Sequence, residues 1–162
     1  MKSYNVEGLE PLQPEVWISR VEMLAASLQD KRLENGALAR LLRLAYHLCL
    51  LAPKTLQIEG VSRNSEACLE ALLEASQFDT AAVLLLGTNP MLDIRRHEQG
   101  AKVSVRLFAG EAIGNGSGPT MAQAALAAIM ECLMMEHELN QTIRAYPLAG
   151  HSPRKYQPGS HQ

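Results

Sequence analysis

Apolar and polar residues alternate along the segment 101–108 up to Leu107, with Val103, Val105 and Leu107 at every second position. Successive side chains of a strand point to opposite faces, so this pattern predicts a strand with one face in the core and one in solvent. Residues 91–97 show a weaker alternation, and Gln99-Gly100 supplies a turn between the two segments. The apolar run 81–87 has strand length, and we expect it to be a third, central strand covered on both faces.

Apolar residues that recur every three or four positions predict helices elsewhere in the chain. These helices are expected at residues 14–29, 37–51 and 62–77. Pro14 fits a first-turn position, and an asparagine-glycine pair separates the first helix from the second. The only tryptophan, Trp17, lies on the apolar side of the first helix, and we interpret it as a packing anchor.

A last helix begins near Pro119 or Thr120, because proline presets φ for a first helical turn. Residues 121–135 are apolar nearly all round, with Gln123 and Glu131 as the only polar side chains. A helix that lies on a sheet with one side needs only one apolar stripe. We therefore expect the second side of this helix to be covered too, by the N-terminal helices or by a second copy in a homodimer.

These elements predict an α+β fold in which an N-terminal helix pair packs on a helix, a three-stranded antiparallel sheet and a second helix. At 162 residues the chain fits one compact domain. Its expected segments are a flexible arm at 1–13, a helical segment at 14–52, an α-β-β-β-α module at 55–144 and a flexible tail at 145–162. The tail combines proline and glycine without an apolar period, which is typical of a disordered end.

Composition narrows the class of protein. Fifteen Lys and Arg against 17 Asp and Glu give a formal charge of −2, so the general basic excess of a nucleic-acid binder is missing. Three cysteines in apolar helical patterns suggest buried reduced thiols, and the N-terminus lacks the apolar stretch of a signal peptide. The apolar run 121–135 is shorter than the roughly 20 residues that cross a bilayer. We expect a cytoplasmic protein without membrane contact.

From Ser62 to His137 the expected order is helix, three strands and helix, and Gly114-x-Gly116-x-Gly118 runs into an alanine-rich helix. This arrangement resembles the double-stranded RNA-binding domain, and small phage-encoded α-β-α proteins look similar. The resemblance covers under half of the chain. It implies a sheet with both helices packed on one face.

The chain departs from that family where the family contacts RNA. The resemblance implies a lysine cluster at the start of the last helix, which meets phosphates across the major groove. The matching positions here are Pro119, Thr120 and Gln123. Each missing cation removes a contribution from counterion release, so nucleic acid is not the expected partner and duplex RNA binding stays an alternative.

The glycine segment is the first candidate site. Gly114, Gly116 and Gly118, followed by a helix start at Thr120, form a turn that could hold an anion at free backbone N–H groups. A phosphate-binding Walker loop would need a lysine, and a dinucleotide fingerprint would need a different glycine spacing. A structural turn is the simpler interpretation. The more specific alternative is a site for a nucleotide or CoA, either for binding alone or for acyl or nucleotide transfer.

The solvent side of the predicted hairpin is the second candidate site. It collects Arg95, His97, Lys102 and Arg106, with Asp93 and Ser104 among them. Neighbours across paired strands lie about 5 Å apart, so these side chains should form one polar surface with a local positive excess. Two interpretations remain: this is a sheet face that only contacts water, or it is a surface that binds an acidic partner or a phosphate.

Catalytic and metal chemistry find little support. Cys132, Glu136 and His137 share a helix, but there is no second ligand pair, nucleophile elbow or H-E-x-x-H motif. We expect neither a metal nor a cofactor. The sequence favours a non-enzymatic accessory protein, of the kind phages or mobile elements encode, that binds and modulates or inhibits a host macromolecule.

Overall fold

The computed structural model describes residues 9–29 and 32–145, and these form an α+β fold. The helices are α1 (Pro14–Ser27), α2 (Asn35–Leu50), α3 (Glu66–Glu74), α4 (Phe78–Leu84) and α5 (Met121–Ala145). The strands are β1 (Met91–His97), β2 (Gly100–Arg106) and β3 (Gly114–Gly118). Short 3-10 turns occupy Lys54–Leu56 and Arg63–Ser65. Most of the expected arm and all of the expected tail except Ala145, which ends α5, lie outside the described residues.

The three strands form one antiparallel sheet in the order β1-β2-β3. The alternation predicted for β2 is confirmed, because Ala101, Val103 and Val105 are buried on the face that packs against α5. Helix α5 lies mainly beneath β2 and β3. The opposite face of the sheet carries polar side chains from all three strands, whereas Arg96 of β1 lies on the same side as Ala101.

The apolar run 81–87 is not a strand, and that prediction was wrong. Residues up to Leu84 belong to α4, and Ala81, Ala82, Leu85 and Leu86 are all buried. The buried positions repeat at i and i+4, which is a helical period. A short continuous apolar run cannot be assigned from periodicity alone, because a buried strand and a buried helical turn look the same.

The glycine segment is not a turn but the third strand, so this prediction also needs correction. Gly114, Gly116 and Gly118 alternate along β3 on the side that faces α5. A Cβ on Gly116 would lie 2.1 Å from the carbonyl oxygen of Ala124, so only glycine lets the helix backbone come this close. The predicted order of helix, three strands and helix is therefore present, but as α4-β1-β2-β3-α5.

Helix α5 is covered on two sides, as predicted. The sheet covers one side, and α1 and α4 pack on the other. Ten residues between Ala122 and Leu133 are buried within the single chain. The alternative of a homodimer through residues 121–135 loses its basis, since the chain's own helices occupy the surface that a second copy would need.

The N-terminal helices are fixed to this core by a tryptophan. Trp17 is fully buried, and its indole N–H donates to the backbone oxygen of Leu48 over 2.8 Å. The interpretation of Trp17 as a packing anchor is thus confirmed. At the chain start, the N–H of Leu12 donates to the oxygen of Leu51 over 2.9 Å.

The three cysteines are free thiols, but they differ in exposure. Cys49 and Cys132 are buried, as expected, whereas Cys68 is exposed on α3. The prediction of three buried thiols fails at Cys68 because α3 is a short helix with only two buried residues. Among the described residues, no helix is both long and apolar enough to cross a membrane.

Candidate functional site

The face of the sheet opposite α5, which we call the outer sheet face, brings four of the eight predicted site residues together. Its side chains are Met91, Asp93, Arg95 and His97 from β1, Lys102, Ser104 and Arg106 from β2, and Asn115 and Ser117 from β3. The strand register places Arg95 opposite Lys102 and Lys102 opposite Ser117. All four predicted cationic or titratable residues of the hairpin therefore share one surface.

The centre of the outer sheet face is a shallow depression of about 380 Å³. It is lined by Asp93, Arg95, Lys102, Val103, Ser104, Asn115, Gly116 and Ser117. Its floor is ordered by the hydroxyl of Ser104, which donates to the amide oxygen of Asn115 over 2.6 Å. The depression is open and polar, unlike the enclosed apolar clefts that hold most small ligands.

Positive charge dominates the outer sheet face. Arg95, Lys102 and Arg106 provide three cations, and Asp93 is the single carboxylate among the residues of this face. The Nε of Arg95 lies 3.3 Å from a carboxylate oxygen of Asp93, but both side chains are more than half exposed. Ion pairs of this exposure contribute little to stability, so this pair does little to hold the fold together. The guanidinium of Arg106 contacts the sulfur of Met91.

The start of α5 is not an open anion site. The backbone N–H of Ala122 donates to the carboxylate of Asp79 over 2.9 Å, and that of Gln123 donates to the hydroxyl of Thr120 over 3.2 Å. Asp79 thus supplies the negative charge that a helix N-terminus favours. Thr120 caps the helix, and the three glycines belong to a paired strand, so these four predicted site residues have structural roles.

Of the three positions that match RNA contacts in the family that the chain resembles, Thr120 is exposed, Pro119 is half-buried and Gln123 is covered. Gln123 is 1% exposed, and its amide lies 3.5 Å from the backbone oxygen of Leu28 at the end of α1. A phosphate could not reach this position without displacing α1. The departure from the family that the sequence indicated at Gln123 is therefore accompanied by a covering helix.

No cluster of metal ligands appears in the part of the chain that the structure describes. Within residues 9–29 and 32–145, no group of three or more His, Cys, Asp and Glu side chains could hold a metal ion. The thiol of Cys132 lies 3.6 Å from the oxygen of Ala112, and burial raises its pKa. A thiol that ionises less readily than usual is a poor nucleophile.

Sequence reasoning did not identify Asn115 and Ser117 as members of the outer sheet face, or Asp79 as the cap of α5. The signal for the first two was present, because glycine and polar residues alternate from 114 to 118. That alternation is a strand period in which glycine replaces the usual apolar residue. Asp79 is 43 positions from its partner Ala122, and no local pattern could have joined them.

No protein-family model, no curated protein and no solved structure matches this chain. Its function must therefore be argued from the charges, exposure and packing of its own residues.

Proposed function

We propose that this chain is a non-enzymatic binding protein whose outer sheet face binds an acidic surface of another protein. The observation that carries the proposal is the concentration of exposed cations on one sheet face. The whole chain has a formal charge of −2, yet Lys102 lies directly opposite Arg95 on this face, and Arg106 lies on the same face of β2, two positions beyond Ser104. Complementary charge of this kind steers association and sets the orientation of a partner.

A macromolecular partner fits this surface better than a small ligand does. The depression between Arg95 and Asn115 is shallow, and the charged side chains around it remain in contact with water. A small anion on such a surface would keep most of its hydration and gain little from each contact. A protein surface can make many such contacts at once and exclude water around them.

A protein partner is also favoured over duplex RNA. Three clustered cations would neutralise few phosphates, and affinity for nucleic acid grows with the number neutralised. Gln123, at the position that matches a lysine of the RNA-binding family, is buried. A protein that binds without chemistry acts by modulating or blocking its partner, and this is the role that we propose.

The test is affinity capture from an extract of the source cells with two charge-reversal variants. Lys102→Glu with Arg106→Glu changes the outer sheet face, and Arg20→Glu with Arg40→Glu makes the same change of charge on exposed residues of α1 and α2. Circular dichroism and thermal melting establish that both variants fold.

We expect quantitative mass spectrometry to find an acidic protein that the wild type and the α1/α2 variant capture and that the outer-face variant loses at least tenfold. A captured partner that all three proteins retain equally would contradict the proposal. Equal loss from both variants would contradict it too, because it would show that overall charge and not the outer sheet face governs binding.

A further inference from the structure

Within residues 9–29 and 32–145, no strand pairs with the second edge of β1, which is free along its whole length. It pairs with β2 through all seven residues, and β2 is the element against which it makes its extensive contacts in the described chain. Helix α5 packs under β2 and β3, which leaves the inner face of β1 largely open. Leu92, on this inner face, is 39% exposed, and Met91, on the outer sheet face, is 60% exposed. An exposed edge of this length has unpaired backbone groups that can accept another strand.

The charges of β1 are complementary to those of a second β1 that runs antiparallel to it. If the two strands are centred on Ile94, Asp93 lies opposite Arg95 of the second copy, and the two-fold axis repeats the pair. Residues directly opposite each other in an antiparallel pair have Cβ atoms about 5 Å apart, within reach of an ion pair. On the inner face, Ile94 of each copy meets Ile94 of the other, which covers a half-buried apolar side chain.

The same charges disfavour the neighbouring registers. A shift of the second strand by two residues in one direction places Asp93 opposite Asp93, and a shift in the other direction places Arg95 opposite Arg95. Like charges directly opposite each other destabilise a strand pair. A shift by one residue would place the outer polar side chains of one copy on the same face of the joined sheet as the inner apolar side chains of the other copy. The Ile94-centred register is therefore the one that the sequence of β1 selects.

We infer that two copies of this chain form a dimer by antiparallel pairing of their β1 strands about Ile94. The dimer has one continuous six-stranded sheet in the order β3-β2-β1-β1-β2-β3, with both α5 helices on the same side. Leu92 lies opposite Arg96 of the second copy, where the aliphatic part of the arginine can cover the exposed leucine. This inference goes beyond the proposed function and does not depend on it.

Edge strands often carry charges that prevent pairing, and β1 differs from that pattern in one respect. Protective charges on an edge usually have one sign, so that any approaching copy is repelled. Here Asp93 and Arg95 have opposite signs and share one face. Such a pair excludes wrong registers while it favours the symmetric one.

Charge exchange tests the inference. Asp93→Arg places two arginines opposite each other on both sides of the two-fold axis, and Arg95→Asp does the same with aspartates. Each variant alone should have a dimer dissociation constant at least about tenfold higher than the wild type. An equimolar mixture of the two should form a heterodimer, because arginines of one chain then face aspartates of the other. The double variant with Asp93→Arg and Arg95→Asp should dimerise like the wild type.

The measurement is sedimentation equilibrium over a concentration series, with Lys102→Asp as the matched control. Lys102→Asp changes the charge by the same amount on the same face. Because Lys102 lies on the central strand and not on the free edge, this variant should still form the dimer. The same series separates this inference from the proposed function, because variants at Lys102 change the outer sheet face and leave the free edge of β1 unchanged. A wild type that stays monomeric throughout, or single variants that dimerise as well as the wild type, would overturn the inference.

A disulfide reports the register directly. Opposite Cα atoms in an antiparallel pair are about 4.5 to 5.5 Å apart, within the range of a disulfide. With Cys68 changed to serine, Ile94→Cys should give a covalent dimer under mild oxidation. Met91→Cys should not, because the inferred register places Met91 opposite His97 and far from its own symmetry copy. Efficient cross-linking through position 91 and none through position 94 would rule out the inferred register.

Discussion

Replacement of Gly116 by alanine is predicted to destabilise the fold strongly, although the same change in most strands would help. Glycine in the interior of a strand usually costs about 0.5–1 kcal/mol relative to alanine, because it loses more backbone entropy on folding. At Gly116 the added Cβ would lie 2.1 Å from the oxygen of Ala124 and 2.4 Å from the nitrogen of Ala128. Steric overlap therefore competes directly with the entropic gain.

The size of that overlap decides whether Gly116→Ala raises or lowers the free energy of unfolding. Non-bonded atoms are comfortable at about 3.5 Å, so α5 would have to retreat from β3 by more than about 1 Å. The atoms in the way belong to the helix backbone, and they cannot move aside as a side chain does. Forcing an extra methyl group into a packed core costs about 1–3 kcal/mol and sometimes more. We expect Gly116→Ala to lower the free energy of unfolding by about 2 kcal/mol or more.

Urea unfolding followed by the fluorescence of Trp17 measures this loss, because Trp17 is the only tryptophan and is buried. The control is Ser117→Ala, which adds no atom and lies on the same strand with its side chain on the outer sheet face. Its free energy of unfolding should stay within about 0.5 kcal/mol of the wild type. Adding Ala127→Gly to Gly116→Ala should not restore stability, since backbone atoms make the closest contacts. A Gly116→Ala protein as stable as the Ser117→Ala control would refute the close packing of α5 on β3.

Three further predictions concern single groups. Asp79→Ala should lower the free energy of unfolding in urea by about 1 kcal/mol, because the first turn of α5 loses its acceptor and its negative charge; an unchanged value would contradict the capping role. In the native protein Cys68 should react with a thiol reagent well before the two buried cysteines, since burial raises the pKa of Cys49 to about 12, and mass spectrometry of the labelled peptides checks the order. The hydrogen bond from Arg43 lowers the pKa of Glu70, so this pair stabilises the fold above the unfolded pKa of about 4.3 and stops doing so as the pH falls through the folded value. Melting temperatures of the wild type and Glu70→Gln should therefore differ at neutral pH and converge in acid, and a difference that does not depend on pH would contradict this account.

The sequence predicts those elements whose period is visible locally. Strand β2 alternates, and α5 is a long run apolar on all sides, so both the strand and the two-sided cover of the helix follow from residues 101–135 alone. The outer sheet face follows in part from the same alternation, which places Lys102 and Arg106 on one side. Strong periodicity in a contiguous segment is sufficient for these features.

The structures of the run 81–87 and of the glycine segment depend on contacts between segments that are distant in the sequence. The run 81–87 has no period that distinguishes a strand from a buried helix. Its helical structure goes with its packing against the other helices. Gly114 and Gly116 suggest a turn until the backbone of α5 is placed against them. The same contact explains why Asn115 belongs to the outer sheet face. Contacts between segments far apart in sequence decided each of these cases.

The central claim is that α5 seals one face of β2 and β3, and that the opposite, outer sheet face is free to bind an acidic partner. Titration of the isotope-labelled protein with poly-L-glutamate at low salt, followed by amide chemical shifts, tests it most directly. Shifts should concentrate on β2 and β3 around Lys102, Ser104 and Asn115, and they should vanish in the Lys102→Glu, Arg106→Glu protein. Shifts centred on the arginines of α2, or spread evenly over the surface, would contradict the claim.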